Sequence, residues 1–343
     1  MVAQAGVSSL QQGLPALGPL FRETFSLSLP ALGALLATAS WGVMLTIYIW
    51  GRLADRWGER IVVVIGSGGA TIALIGATFP DSAWGLGLSI CVAGAMSGSA
   101  IAASGRAVMG WFPRSERGLA LGLRQMAVPI GAGLAGIALP AIALRFGLDG
   151  AFLALAVLSF AGAIVGAIYL GPPPPALTSA RSPQQASASP VRDTAIWRLS
   201  GAAGLLQWSQ VGMNTFLMII LVEYQGLGYA AAAILFACVQ ALSGVMRVAA
   251  GWLSDRKSRR VPHFVGYAVA IAISLLVAAA FQLVHSPVSV AALLLASVLS
   301  FSWNGLAFAA VAEFSGIQRA GAAFGFHGTL MRLMSLPTAI LFG

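Results

Sequence analysis

Apolar residues run through this chain in blocks of about twenty, each closed by a short polar or charged stretch. That is the length a helix needs to cross the hydrocarbon core of a bilayer. The pattern predicts spans at 2–21, 29–51, 61–80, 83–111, 118–144 and 149–171, then at 199–222, 229–252, 262–284, 287–312 and 320–342. Between the two sets, Pro172 through Asp193 is rich in Pro, Ser, Ala and Gln and is expected to be extended or mobile. The expected organisation is a first bundle over 1–171, a linker over 172–198 and a second bundle over 199–343.

The polar breaks carry a repeat. Gly51-Arg-Leu-Ala-Asp-Arg-Trp-Gly-Glu-Arg60 returns as Gly251-Trp-Leu-Ser-Asp-Arg-Lys-Ser-Arg-Arg260, with Gly, Leu, Asp, Arg and the final Arg in place. Each copy ends the second span of its half. A charged decapeptide at the same position in both halves of an apolar chain indicates two equivalent helical bundles, a plan on which many secondary transporters are built. With 58% hydrophobic and 8% charged residues among 343, a water-soluble surface is hard to assemble. Charge then sets orientation: with the loop after span 2 in the cytoplasm, thirteen of the nineteen basic residues lie on that side and only Arg22 and Arg145 opposite. The net charge of +9 therefore records topology and gives no reason to expect nucleic acid.

On these residues the chain resembles the major facilitator superfamily, for which a Gly-Arg-Leu-Ala-Asp-Arg-x-Gly-x-Arg segment after span 2, with a degenerate copy after span 8, is diagnostic. The resemblance covers essentially the whole chain. Gly105 through Pro113, Arg117 through Gly131, and Arg247-Val-Ala-Ala-Gly-Trp-Leu-Ser-Asp255 look like the branch of cyanate-permease-like and nitrate/nitrite-porter-like proteins. The resemblance implies an all-α polytopic membrane protein with two pseudo-symmetric six-helix bundles, in a bacterial inner membrane. It implies a gate in which Gly51, Asp55, Arg56, Gly58 and Arg60, with Gly251, Asp255 and Arg256, latch the cytoplasmic face. It also implies twelve spans, where eleven are predicted, so the chain is expected to lack the twelfth and to begin inside the first. A truncated chain, a clipped gene model or a decayed gene would explain both ends.

Chemistry within the spans points to the solute. Four arginines are embedded: Arg106, Arg124, Arg247 and Arg332. An arginine at the bilayer centre costs roughly 2.5–3.5 kcal/mol by insertion scales, so it tends to face a cavity or a partner. Arg106 lies near the cytoplasmic end of span 4, where snorkelling is easy. Arg247 and Arg124 are expected to face the cavity, and matching Gly122 to Gly325 pairs Arg124 with His327. By the same register Arg332 falls opposite Pro129. All ten acidic residues fall in loops or at span ends, so no carboxylate is expected to balance the embedded arginines. A positive, acid-free cavity favours a small anionic substrate, because guanidinium groups grip oxyanions with two prongs. His327 is the candidate for a coupling proton. Gln12, Asn214, Trp303 and Asn304 are unusual on a lipid face and are expected to complete the cavity.

Other chemistries find no support. Cys91 and Cys238 lie in separate spans, and His263, His285 and His327 are scattered, so neither a metal nor a cofactor is expected. Phosphate loops, zinc-protease helices and nucleophile elbows are absent from the sequence, which argues against an enzyme. The expected partners are the bilayer, a small anion and a coupling proton, with the chain acting as a monomer. The alternatives are a drug or metabolite exporter of the same fold, weakened because Arg124-Gln-Met-Ala-Val-Pro129 departs from the Gly-x-x-x-Gly-Pro signature of drug antiporters, and a non-transporting relic or membrane sensor.

Overall fold

A computed structural model describes residues 1–171, 189–257, 260–282 and 287–335. Regular structure there is helical: α1 Val2–Gly13, α2 Gly18–Phe25, α3 Leu29–Trp57, α4 Glu59–Gly76, α5 Ala83–Trp111, α6 Arg117–Tyr169, α7 Thr194–Ile219, α8 Tyr229–Lys257, α9 Arg260–Gln282, α10 Pro287–Ser302, α11 Asn304–Ser315 and α12 Ala320–Ser335. Among the described residues, eight helical stretches are long and apolar enough to cross a membrane.

The differences from the apolar pattern lie where helices bend. Span 2–21 is interrupted: a tight turn at Leu14–Leu17 separates α1 from α2, at Pro15, whose missing N–H cannot serve the carbonyl four residues back. Spans 118–144 and 149–171 continue into each other as α6. The reversal expected over several loop residues is concentrated at Gly147, with φ 72° and ψ 178°, a conformation that a residue with a Cβ avoids. Span 199–222 finishes in a π-helical turn, Ile220–Tyr224. Span 287–312 is broken at Trp303, between α10 and α11. The last predicted span is described to Ser335. Residues 336–342, with Pro337, and linker residues 172–188, with Arg181, lie outside the described residues, as does Arg259.

Two compact units emerge from the packing. One comprises Met1–Trp111, Ala127–Arg192 and Ser315–Thr329, the other Phe112–Met126, Asp193–Phe314 and Leu330–Gly343. In these units 112–126 groups with second-half helices and 315–329 with first-half helices. The first unit buries Leu10, Leu14, Leu17 and Phe21 against Phe152 and Leu155, with the Phe21 and Phe152 rings stacked 6.1 Å apart. Thr46 Oγ1 and Trp50 Nε1 both donate to the Ala95 carbonyl at 2.7 Å, giving two polar side chains a partner inside the apolar layer. The second unit buries Leu217, Leu221, Val239, Leu293 and Phe301. Large apolar side chains also face outward, Ile137 at 80% exposure and Leu276 at 70%, as a surface solvated by lipid requires.

Candidate functional site

The first copy of the decapeptide closes α3 and opens α4. Gly58, at φ 86°, makes the turn between them. Asp55 sits on the last turn of α3, where its Oδ1 accepts the Gly321 amide at 2.9 Å and its Oδ2 the Ala322 amide at 2.8 Å. These amides open α12 and have no acceptor within their own helix, and the positive end of the helix dipole favours a carboxylate there. One turn earlier, a Cβ at Gly51 would run into the Gly321 carbonyl, so only glycine allows α3 this close to α12. Arg106 of α5 completes the group, with Nε on Asp55 Oδ1 at 3.0 Å and Nη1 on Glu59 Oε1 at 2.5 Å. This corrects one expectation: Arg106 is balanced, by two carboxylates from the preceding helix pair. Arg56 and Arg60 are exposed and make no ion pair among the described residues.

The second copy repeats the geometry with different side chains. Asp255 on α8 accepts the Gly118 amide at 2.9 Å and the Leu119 amide at 2.8 Å, the first amides of α6. A Cβ at Gly251 would meet the Gly118 carbonyl. The guanidinium here is Arg260, bonded to Asp255 at 2.8 Å, Glu313 at 2.5 Å, Ser254 Oγ at 3.1 Å and the Arg114 carbonyl at 3.0 Å. Arg256, expected in the gate beside Gly251 and Asp255, is exposed and lies over the Trp252 ring at 3.9 Å. Arg260 and Glu313 were therefore missed as site residues. The signal for Arg260 was present, since the last arginine of the decapeptide is kept in both copies. Gly51→Val and Gly251→Val should each lower the thermal midpoint of the purified protein by an amount equivalent to about 1–3 kcal/mol, the usual cost of overpacking. An unchanged midpoint would remove the close approach as a reason for glycine.

Deeper in the spans, Arg124 and Arg247 are both 3% exposed. Arg124 Nη1 donates to Gln125 Oε1 at 3.0 Å, and its guanidinium carbon lies 5.5 Å from the centre of the Phe308 ring. Arg247 donates from Nε to the Phe301 carbonyl at 2.6 Å and from Nη1 to the Gln125 carbonyl at 2.7 Å. Gln125 thus serves both arginines, one through its side chain and one through its main chain. It was not singled out in the sequence, where a glutamine beside an arginine has no distinctive pattern. Among the described residues no carboxylate pairs with Arg247. His327 is fully buried in α12. Asn304 Nδ2 donates to Gln210 Oε1 at 3.2 Å, whereas Asn304 Oδ1 and Trp303 Nε1 are buried with no hydrogen-bond partner among the described residues. Gln12 and Asn214 are exposed. The structure thus gathers Arg124, Arg247, Trp303 and Asn304 into one unit, on α6, α8 and the α10–α11 break, and places His327 and Gln12 in the other.

Eight apolar helical stretches and two related acidic motifs that cap helix starts describe a duplicated helical membrane protein. The chain belongs to the Major Facilitator Superfamily, whose sequence model matches residues 3–338. An uncharacterised MFS-type transporter of Mycobacterium tuberculosis (strain CDC 1551 / Oshkosh) is 32% identical over 348 residues, covering all of this chain and 78% of the relative. Among solved structures, the proton:xylose symporter XylE superposes with a TM-score of 0.77 at 16% identity, over 99% of this chain and 86% of that one. The human organic anion transporter MFSD10 does so with a TM-score of 0.68 at 15% identity, over 98% and 91%. At such identities the likeness is one of fold. The protein is a multi-pass membrane protein of a transporter family.

Proposed function

We propose that the protein is a secondary carrier of a small anion, working by alternating access in a bacterial inner membrane. The observation that carries this reading is Arg247: a guanidinium at 3% exposure, held by two neutral carbonyls and by no carboxylate among the described residues. A buried cation without a counter-ion is costly, and an arriving anion supplies the missing charge. Arg124, also buried and one residue from the glutamine that Arg247 grips, is the second anchor. His327 is the candidate for a coupling proton, and the branch of cyanate-permease-like and nitrate/nitrite-porter-like proteins gives the class of solute to try first. In this reading the contiguous halves 1–171 and 199–343 rock as bundles, and the two aspartate caps tie each half to a helix of the other when the cytoplasmic face is shut.

A neutral hydrogen-bonding solute is the second reading. It is favoured by the buried Asn304 Oδ1 and Trp303 Nε1, which have no partner among the described residues. Thermal unfolding of the detergent-solubilised protein with nitrate, cyanate, acetate or succinate, against xylose as the neutral probe, separates the two. A ligand that binds the folded state raises the midpoint with concentration. Anions alone should do so, and a rise with xylose and none with any anion would reverse the assignment.

Orientation has its own test. The linker is proposed to be cytoplasmic because the basic residues gather on its side of the membrane. Ser187→Cys, in a background with Cys91 and Cys238 replaced by alanine, should resist an impermeant maleimide in intact cells and react after lysis. Labelling from outside would overturn the topology.

A further inference from the structure

Both acceptors of Arg247 are main-chain carbonyls, and such groups inside helices are ordinarily taken by the amide four residues on. For Gln125 that residue is Pro129, inside α6, which has no N–H to give. For Phe301 the helix stops: α10 ends at Ser302, α11 begins at Asn304, and the Trp303 carbonyl between them takes the Leu306 and Ala307 amides at 3.0 and 3.2 Å. Phe301 lies on the last turn of α10, where carbonyls lose their intrahelical amides. Arg247 on α8 reaches both, with Nε on one and Nη1 on the other.

The duplicated chain supplies its own control. A Cβ at Gly118 would meet the Gly251 carbonyl and one at Gly321 the Gly51 carbonyl; likewise Gly122 faces the Arg247 carbonyl and Gly325 the Ile47 carbonyl. This register makes Ile47 the counterpart of Arg247 and Arg332 the counterpart of Pro129. By the same register Gly305, against Gly122 and Leu121, matches Gly105, against Phe324, the counterpart of Leu121. The segment of α5 corresponding to the Trp303 break is continuous helix. Where the proline and the break are absent, the arginine is absent too.

We propose that Arg247 is a positioning residue, a clamp that holds the two carbonyls freed by Pro129 and by the break at Trp303 and so fixes α8 to both interrupted helices. The guanidinium suits the task because its donors lie in a rigid fork, whereas the single ammonium of lysine cannot replace two separated prongs. A buried carbonyl left unpaired is costly, so losing the clamp loosens both helices at once. The clamp engages Nε and Nη1 of the arginine whose charge carries the anion reading, and it does not depend on which solute is carried.

Amide hydrogen exchange on the detergent-solubilised full chain reads each end separately, since exchange reports local opening. Arg247→Ala should speed exchange about tenfold or more in segments 121–130 and 299–308 together. Adding Pro129→Ala restores an amide for the Gln125 carbonyl, so protection should return in 121–130 alone. Pro140→Ala, which removes the other proline of the same helix, should restore neither. If Arg247→Ala does not fold, Arg247→Lys carries the same comparison: protection is expected at only one of the two segments, and Pro129→Ala should restore 121–130 where that is the segment lost. Wild-type exchange in both segments of either arginine variant, or rescue by Pro140→Ala equal to that by Pro129→Ala, would overturn the clamp. Failure of every anion to bind the wild type counts against the proposed solute and leaves these exchange differences in place.

Discussion

Asp55→Asn is expected to reduce the initial rate of transport at least tenfold while leaving membrane insertion near normal. Two main-chain amides, Gly321 and Ala322, each donate to a separate carboxylate oxygen. A carboxamide keeps one acceptor and turns an NH2 group toward the other amide, so one bond is lost and two donors face each other. The Arg106 guanidinium loses half of its anionic partnership as well. Hydrogen bonds to charged groups are worth about 1.5–3 kcal/mol each, enough to move a two-state equilibrium by tenfold or more. The variant is expected to fold because this cap is one contact among many at the end of a long helix. Rates measured in vesicles against the amount of inserted protein decide the matter, and wild-type turnover by a well-inserted variant would reduce the motif to a marker of topology. Asp255→Asn should behave similarly, since the second copy repeats the two-amide geometry.

Arg124→Gln should abolish anion binding, a loss of about 2–5 kcal/mol if the anion is held away from water. Arg124→Lys should recover only part of it, because an ammonium keeps the charge without the planar two-pronged contact. Arg124 is preferred to Arg247 for this test because the main-chain bonds of Arg247 would mix folding with affinity. Affinity and folded fraction should be measured on the same solubilised preparations. Unchanged affinity per folded molecule in Arg124→Gln would remove this arginine from the binding site.

Legibility in the sequence followed physical range. The spans were readable because a bilayer demands about twenty apolar residues regardless of tertiary context. The paired aspartates were readable because duplication wrote the same decapeptide twice. What escaped depended on contacts between distant segments. Arg106 looked unbalanced, since nothing local signals that Asp55, fifty-one residues earlier, folds back onto it. Glu313 passed for a span-end charge until Arg260 was found bonded to it. The turn between spans 5 and 6 shrank to Gly147 because one positive-φ glycine does what a loop was assumed to need. The role of Gln125 lies half in its backbone carbonyl, which every residue possesses and no sequence pattern can distinguish.

The aspartate caps also bear on how this protein tolerates change. Their acceptors are side chains but their donors are main chain, so the contact has a sequence identity on one side only. At Ala322 and Leu119 the aspartate reads only the amide, so a change of side chain that the packing admits needs no compensating change at Asp55 or Asp255. Gly321 and Gly118 cannot, because a Cβ there would press on the Gly51 or Gly251 carbonyl and on the capping carboxylate itself. Statistical searches for co-varying pairs will therefore pass over these two contacts. A saturation scan should find them as an intolerant aspartate with its facing glycines, each intolerant whatever side chain stands at Ala322 or Leu119.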